Sequence, residues 1–428
     1  MVVTIRRKIG TRYSAAMPTA NVPSIPLSEY AERRTRALNA IKGSIGLVFA
    51  GEADANLHHA WRPHPHFEYL TGITDEAGAA LLLDPTNPVE ARRSILFLRP
   101  LNPEIEKWDG FRDTISSKLR ERYGVPTIMR TNAMPRFVTE AAKRAKRFSC
   151  LHPFSSYNAP VSPDLAIFRA IMERIPGCAT DDRTALLAEM RAKKSKAEVA
   201  VMRHAVEISA KGYEAALATL RPGITEFDVQ EAMEHTYKTN GARSTAYRTI
   251  AGAGFNATVL HYHANDQTLA DGDLICIDSG AAFGGYSSDV TRTYPINGKF
   301  TKRQREIYDI VLDSLLAGTA AAKAGATLMD VDKACRDVIN RKGYGDYFIH
   351  GAGHHLGLET HDITPEGGLP EGAVITIEPG IYIPEERLGV RIEDDVLIGK
   401  GKSTVLSAMI AKTAPEIEKL MASSKGRK

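Results

Sequence analysis

Apolar and polar positions along the chain repeat in two registers. Spacing of three to four residues predicts helices over 27–41, 137–145, 163–174, 193–220, 226–240, 302–322 and 328–341. Short apolar runs bounded by turn residues predict strands at 44–50, 79–83 and 94–98, and again within 273–294, 374–380 and 389–395. In the helix over 193–220, Val199, Met202, Ala205, Val206 and Ile208 form the apolar stripe, and Arg221-Pro222-Gly223 ends it. Thr225 is placed to cap the next helix. The polar, turn-rich stretch 175–184 marks a boundary. The chain therefore divides into a basic extension (1–26), an α/β unit (27–185) and a second unit (186–428). No internal repeat is evident by eye, although two halves of helices followed by strands permit a structural one.

Composition narrows the classes. Of 428 residues, 43% are hydrophobic and 25% charged, too apolar for intrinsic disorder and rich enough for two cores. The apolar runs are strand-sized, so no membrane span is expected. A net charge of +4 over this length argues against a nucleic-acid footprint. Cys150, Cys178, Cys276 and Cys335 lie far apart with no CxxC pair. That argues against a disulfide framework and a thiolate zinc site, and fits a reducing, cytoplasmic compartment. Residues 1–28 carry Arg6, Arg7, Lys8 and Arg12 and no acid, so organellar targeting is the alternative. The last six residues, SSKGRK, read as a basic tail.

The chemistry lies in the second unit. A hairpin turn centred on Phe283-Gly284 sets Asp278 directly opposite Asp289, with Cβ atoms ~4.5–5.5 Å apart. Two facing, partly buried carboxylates repel, and a shared cation resolves this. Downstream runs His350-Gly-Ala-Gly-His354-His355, then His361-Asp362, with glycines that let the backbone approach a ligand. Glu378 ends an apolar strand that Pro379 breaks, and the two-residue strand period puts Arg391 and Glu393 on one face. Two Asp, two Glu and one His form an oxygen-dominated set suited to hard divalent ions, manganese first, with cobalt, iron or zinc as alternatives. Four carboxylates balance two such cations, ~3.5–4 Å apart, and the implied chemistry is hydrolysis.

In order, the motifs IDSG, SSDVTRT, GHHLGLETHD, TIEPGIY and RIEDD resemble the pita-bread metallopeptidases: Xaa-Pro aminopeptidase, prolidase and methionine aminopeptidase. Residues 33–48 and the FEYLTG run at 67–72 resemble the N-terminal domain of the Xaa-Pro aminopeptidases. The resemblance implies an α+β protein: a pita-bread catalytic domain after a smaller α/β domain of creatinase/aminopeptidase P type. It implies Asp278, Asp289, His354, Glu378 and Glu393 as ligands of two metals, with Asp289 and Glu393 bridging. It further implies that a hydroxide between the metals attacks the carbonyl before proline. Glu378 would shuttle the proton, His361 would stabilise the tetrahedral intermediate, and His261, His350, Tyr382 and Arg391 would surround the substrate. Trp108 resembles a tryptophan that reaches the active-site entrance from the N-terminal domain.

Departures accompany the likeness. Glu359 and Thr360 stand where many relatives have Asp-Val, and Glu359 is not expected as a ligand. His263 replaces a residue that is usually not histidine, and is expected on the solvent side of its strand. The long N-terminal unit argues against methionine aminopeptidase, and the retained ligands argue against creatinase. The expected activity is release of the first residue from small peptides with proline second, by a homodimer or homotetramer. Prolidase, acting on dipeptides, is the alternative, and a metal-free pita-bread binding module is the alternative of another class.

Overall fold

The computed structural model describes residues 22–53 and 61–425; the basic segment 1–21, His58 and His59, and the last three residues lie outside them. The first unit is built on six strands: β1 (Ile45–Phe49), β2 (Ala80–Leu83), β3 (Ser94–Leu98), β4 (Thr127–Arg130), β5 (Arg147–Cys150) and β6 (Ala179–Asp182), in the order β4-β3-β2-β1-β5-β6. β1, β2 and β3 form an antiparallel meander, and the outer pairs are parallel. Ile45, Leu47, Leu81, Leu82, Ile95 and Phe97 are fully or nearly fully buried, as expected for strands covered on both faces.

The helices of this unit are α1 (Leu27–Ala40), α2 (Pro65–Thr71), α3 (Pro103–Asp109), α4 (Ser117–Tyr123), α5 (Met134–Ala145) and α6 (Pro163–Met172), and α7 (Thr184–Ala192) runs across the expected boundary at 185. α2, α3 and α4 span seven residues each, too short for a periodic stripe, and were not predicted. Their signals are local: Pro65 and Pro103 at the first helical position, and the caps Asn102 and Ser116. Contrary to expectation, 175–184 is not all turn. It holds β6, Ala-Thr-Asp-Asp, an exposed polar edge strand without alternation, held to β5 by its ladder and by an Arg147–Asp181 pair.

The second unit opens with α8 (Lys196–Thr219) and α9 (Glu226–Thr239), followed by β7 (Ser244–Thr245), β8 (Ile250–Ala253), β9 (Leu274–Asp278), β10 (Ala281–Phe283), β11 (Tyr286–Ser287) and β12 (Thr291–Pro295). Next come α10 (Lys302–Ala321) and α11 (Leu328–Arg341), then β13 (Val374–Ile377), β14 (Gly380–Ile383), β15 (Leu388–Arg391), β16 (Asp394–Leu397), β17 (Thr404–Val405) and α12 (Ala414–Lys425). α12 was not predicted and takes in the start of the basic tail. All four long helices begin with a capping box: Ser195/Glu198, Thr225/Asp228, Thr301/Gln304 and Thr327/Asp330.

The repeat that the residues do not spell out is present in the topology. A packed helix pair precedes each of two broken hairpins. In the first, β9 pairs with β12 and the tip strands β10 and β11 pair apart from them; in the second, β13 pairs with β16 and β14 with β15. One apolar core fills the space between these halves. A second joins the two units, packing Phe67 and Leu70 of α2 in a cluster with Val201, Met202 and Val206 of α8 and with Leu356 and Leu358.

Candidate metal centre

The four predicted carboxylates all sit where a strand breaks. Asp278 is the last residue of β9, and Asp289 lies between β11 and β12. Glu378 lies between β13 and β14, and Glu393 between β15 and β16. At each break the ladder changes partner, which turns the side chain out of the sheet stack into one cavity of about 550 Å³. The lining includes Asp278, Asp289, His354, Glu378, Glu393, His261, His350, His361 and Arg391.

Two register expectations need correction. The first hairpin turns on Gly284-Gly285, both at positive φ (57° and 87°), as a two-residue turn of this kind demands. The pairing therefore sets Asp278 opposite Thr291, and Asp289 is its diagonal neighbour two residues along the same face. Arg391 and Glu393 do not share a strand, because the chain breaks at Ile392-Glu393. Both still reach Thr291: Arg391 Nε donates to its Oγ1 at 3.2 Å, and that hydroxyl donates to Glu393 Oε2 at 2.7 Å.

Asp289, His354 and Glu393 each bring a ligand atom within 4.8 Å of the other two. His354 Nδ1 lies 3.0 Å from the His355 carbonyl, so that nitrogen carries the proton. Nε2 is left free, 3.6 Å from both Asp289 Oδ2 and Glu378 Oε1. Tyr247 places its hydroxyl 2.5 Å from Oδ1 of Asp278 and of Asp289, and Arg391 Nη2 pairs with Asp278 Oδ2 at 2.7 Å. Arg391 Nη1 also donates to the Tyr382 hydroxyl at 3.0 Å, which lies 2.8 Å from His350 Nε2. His350 Nδ1 sits 2.9 Å from the Gly351 carbonyl. His361 stacks on His354, ring centres 4.0 Å apart. Gly353 carries this loop against the Thr376 carbonyl, where a Cβ would collide.

The electrostatics mark the set as unfinished. Burial, then the charges of Asp278 and Asp395, push the Asp289 carboxyl well above its usual range. Burial, then Asp289 and Glu378, do the same to Glu393. Glu378 is pushed up to about 8, mainly by burial, against the pull of Arg391. His354 and His350 are held down to about 4, also mainly by burial. Neutral imidazole nitrogen beside crowded carboxylates is the donor chemistry of a divalent cation, so the residues present fit such an ion.

Trp108 is not part of this cavity. It projects from α3, 89% exposed, on a short surface helix beyond the sheet. His263 is corrected in the other direction: it lies on the loop after β8, lines the cavity, and its ring is near-parallel to that of His261 at 6.3 Å. Tyr247, Arg248, Ile250, Leu260 and Thr360 also line it and escaped the sequence reading. Tyr247 and Arg248 had a faint signal, two polar residues just ahead of a buried strand. Glu359 pairs with Arg191 at 2.7 Å. Of the unexplained histidines, His64 caps α2 by accepting from the His66 amide, and His66 packs near His152 with Nδ1 3.0 Å from Arg191 Nη1. Arg191 and Lys194 both pair with Asp362, which follows His361.

The loop bearing His261 has its own anchor. Glu226, fully buried at the start of α9, accepts from the Ala253 amide (2.7 Å), Asn256 Nδ2 (3.1 Å), the Tyr262 hydroxyl (2.9 Å) and the Gln267 amide (2.9 Å).

Family comparisons agree with this geometry. Residues 200–400 match the model of metallopeptidase family M24, and residues 30–150 match the aminopeptidase P N-terminal domain. The Xaa-Pro aminopeptidase of Haemophilus influenzae is 33% identical, covering 95% of this chain and 100% of its own. An aminopeptidase structure from Pseudomonas aeruginosa superposes with a TM-score of 0.84 at 31% identity, covering 94% of this chain and 100% of that one. The Xaa-Pro dipeptidase of Pyrococcus furiosus is 43% identical, but over 50% of this chain and 62% of its own. With both domain types matched and full-length relatives on either side, the chain belongs to the aminopeptidase P group of the M24 metallopeptidases, hydrolases of pita-bread fold.

Proposed function

We propose that the chain removes the first residue from peptides with proline in second position, using two divalent cations held by Asp278, Asp289, His354, Glu378 and Glu393. The observation that carries this reading is the convergence of four carboxylates and a neutral His354 in one cavity, with raised carboxyl pKa values and one bonded guanidinium among the described residues. Manganese suits the oxygen-rich donor set best. When bound, the ions supply Lewis acidity toward water and the scissile carbonyl.

The chain's own groups supply the rest. Glu378, among the ligands at the cavity and 3.6 Å from His354 Nε2, is the carboxylate placed to take and pass a proton. His361, stacked on His354 at the cavity wall, donates toward the oxyanion. A bond before proline has no N–H, so recognition rests on ring shape and on the flanking imidazoles. His350 is fixed for this by Tyr382 and Arg391, and His261 by its loop. Prolidase keeps one point in its favour, the high identity of the catalytic half to a dipeptidase.

The deciding experiment compares Xaa-Pro-Yaa tripeptides with Xaa-Pro dipeptides after manganese loading. Hydrolysis of tripeptides is expected, and activity on dipeptides alone would make the chain a prolidase. Binding of less than one ion per chain would remove the metal reading altogether.

A further inference from the structure

The Asp278 carboxylate separates two walls of the cavity. Its Oδ2 faces Arg391, behind which stand Tyr382 and His350; its Oδ1 faces Tyr247, followed in sequence by Arg248. With the proline ring against the His350 wall and His261 at the bond before it, the preceding residue lies toward Tyr247, Arg248, Ile250, Leu260 and His263.

Arg248 differs from the arginines buried nearby. Arg391 is paired with Asp278, Arg292 with Asp394, and Arg191 with Asp362 and Glu359. Arg248 is exposed at the cavity and forms no ion pair among the described residues; its hydrogen bond is a long one, Nη2 to the His263 carbonyl at 3.4 Å. The contact tethers the side chain to the loop that carries His261 and leaves its other donors open. His263 beside it is held neutral-leaning by burial and then by Arg248 itself, so it adds no competing charge. An unpaired guanidinium with open, forked donors selects a carboxylate.

We propose that Arg248 receives a carboxylate on the first residue of the substrate, so that peptides beginning Glu-Pro or Asp-Pro are preferred over their amide isosteres. This rests on the function proposed above and deepens it. A carboxylate has a second source, the C-terminus of a short peptide, and the first residue is favoured because the wall lies on the side of the scissile bond away from the proline site.

The test measures kcat/KM for Glu-Pro-Leu and Gln-Pro-Leu, each with a free and an amidated C-terminus, on the manganese-loaded enzyme. An exposed charge pair predicts a Glu/Gln ratio of about three to five, expressed mainly in KM and shrinking with added salt. The ratio is expected to fall to about one in Arg248→Met and to survive in part in Arg248→Lys. Being a ratio, it cancels any general loss of activity. A wild-type ratio near one, or an unchanged ratio in Arg248→Met, overturns the proposal. A preference that follows the free C-terminus instead of the first side chain also overturns it. Failure to cleave Ala-Pro-Leu as well would condemn the underlying function and this proposal with it.

Discussion

Glu393 and Asp394 are neighbours in sequence and both are buried, yet they lie in opposite surroundings. Asp394 points into the protein, where Arg292 pairs with it at 2.8 Å, Lys412 closes on its other oxygen and Ser407 donates at 2.7 Å. Burial alone would raise its pKa, and Arg292 and then Lys412 hold it below the usual value instead. Glu393 points into the cavity, where its neighbours are Asp289 and Glu378, and its pKa is driven well upward. One residue along a broken strand separates a carboxylate completed by the fold from one left for a cation to complete. Burial of charge thus says little until its partner is named.

The sharpest way to break the comparison is to neutralise the incomplete side. Asp289→Asn is expected to cut turnover by at least about a thousandfold, the scale of losing charge placement at a reacting centre. Metal stoichiometry, read by elemental analysis of purified protein, should fall with it. The melting temperature of the chelated protein should hold or rise, since the change relieves repulsion with Asp278 and Asp395. Near-normal turnover would show that the centre lies elsewhere.

On the completed side the effect should move from activity to stability. Arg292→Met leaves buried Asp394 with Lys412 and Ser407 alone and is expected to cost about 3 kcal/mol in denaturant unfolding, the low end for breaking a buried pair. Adding Asp394→Asn should recover part of that loss, because the half-compensated charge is then gone. A single variant as stable as the parent would mean that Lys412 suffices.

Between these lies a pH effect peculiar to the chelated protein. The Glu378 carboxyl moves from 4.5 to about 8 on folding, so the folded state holds a proton that the unfolded chain releases across that interval. Stability is then complete below about 4.5 and declines as pH rises toward about 8, by up to about 1.4 kcal/mol per pH unit for each proton concerned. Below about 6.5 the histidines that burial holds down, His350 and His354 among them, pull the other way, so thermal melts in chelator should show the decline between about 6.5 and 8, and manganese should flatten it. A chelated protein equally stable at about 6.5 and 8 would contradict the crowding of carboxylates at the cavity.

How much of this was readable beforehand follows the same division. The long helices and the apolar strands announce themselves by period, and the ligand-type residues by chemistry: two Asp, two Glu and a His in ordered motifs. Their exact facing was not readable, because one residue in the position of a glycine turn shifts the register, and the sequence Phe283-Gly284-Gly285 permits both placements. The strand breaks at Glu378 and Glu393 were half visible, one through Pro379, the other without any breaker residue. Polar β6 and the seven-residue helices lacked any hydrophobic period to read. Tyr247, Arg248 and Glu226 gave no motif, since what matters about each is the partner that tertiary structure brings to it.

Glu226 offers the smallest and most discriminating test, as a third kind of buried carboxylate. It has neither a cation of the fold, like Asp394, nor the open cavity of Glu393; four donors surround it instead. Every partner donates, so Glu226→Gln would aim an amide N–H₂ at two donors while changing almost no volume. At about 1–3 kcal/mol for a buried polar group left unmatched, the loop from Ala253 to Gln267 should loosen without unfolding the domain. His261 and Leu260 ride on that loop, so kcat/KM for Xaa-Pro-Yaa peptides is expected to fall about tenfold, with the metal count per chain unchanged. Loss of metal along with activity would mean that Glu226 supports the whole centre. No loss of either would mean that the loop is held by Asn265, whose side chain bonds the Ala251 amide, the Thr249 carbonyl and Gln230 from the other side.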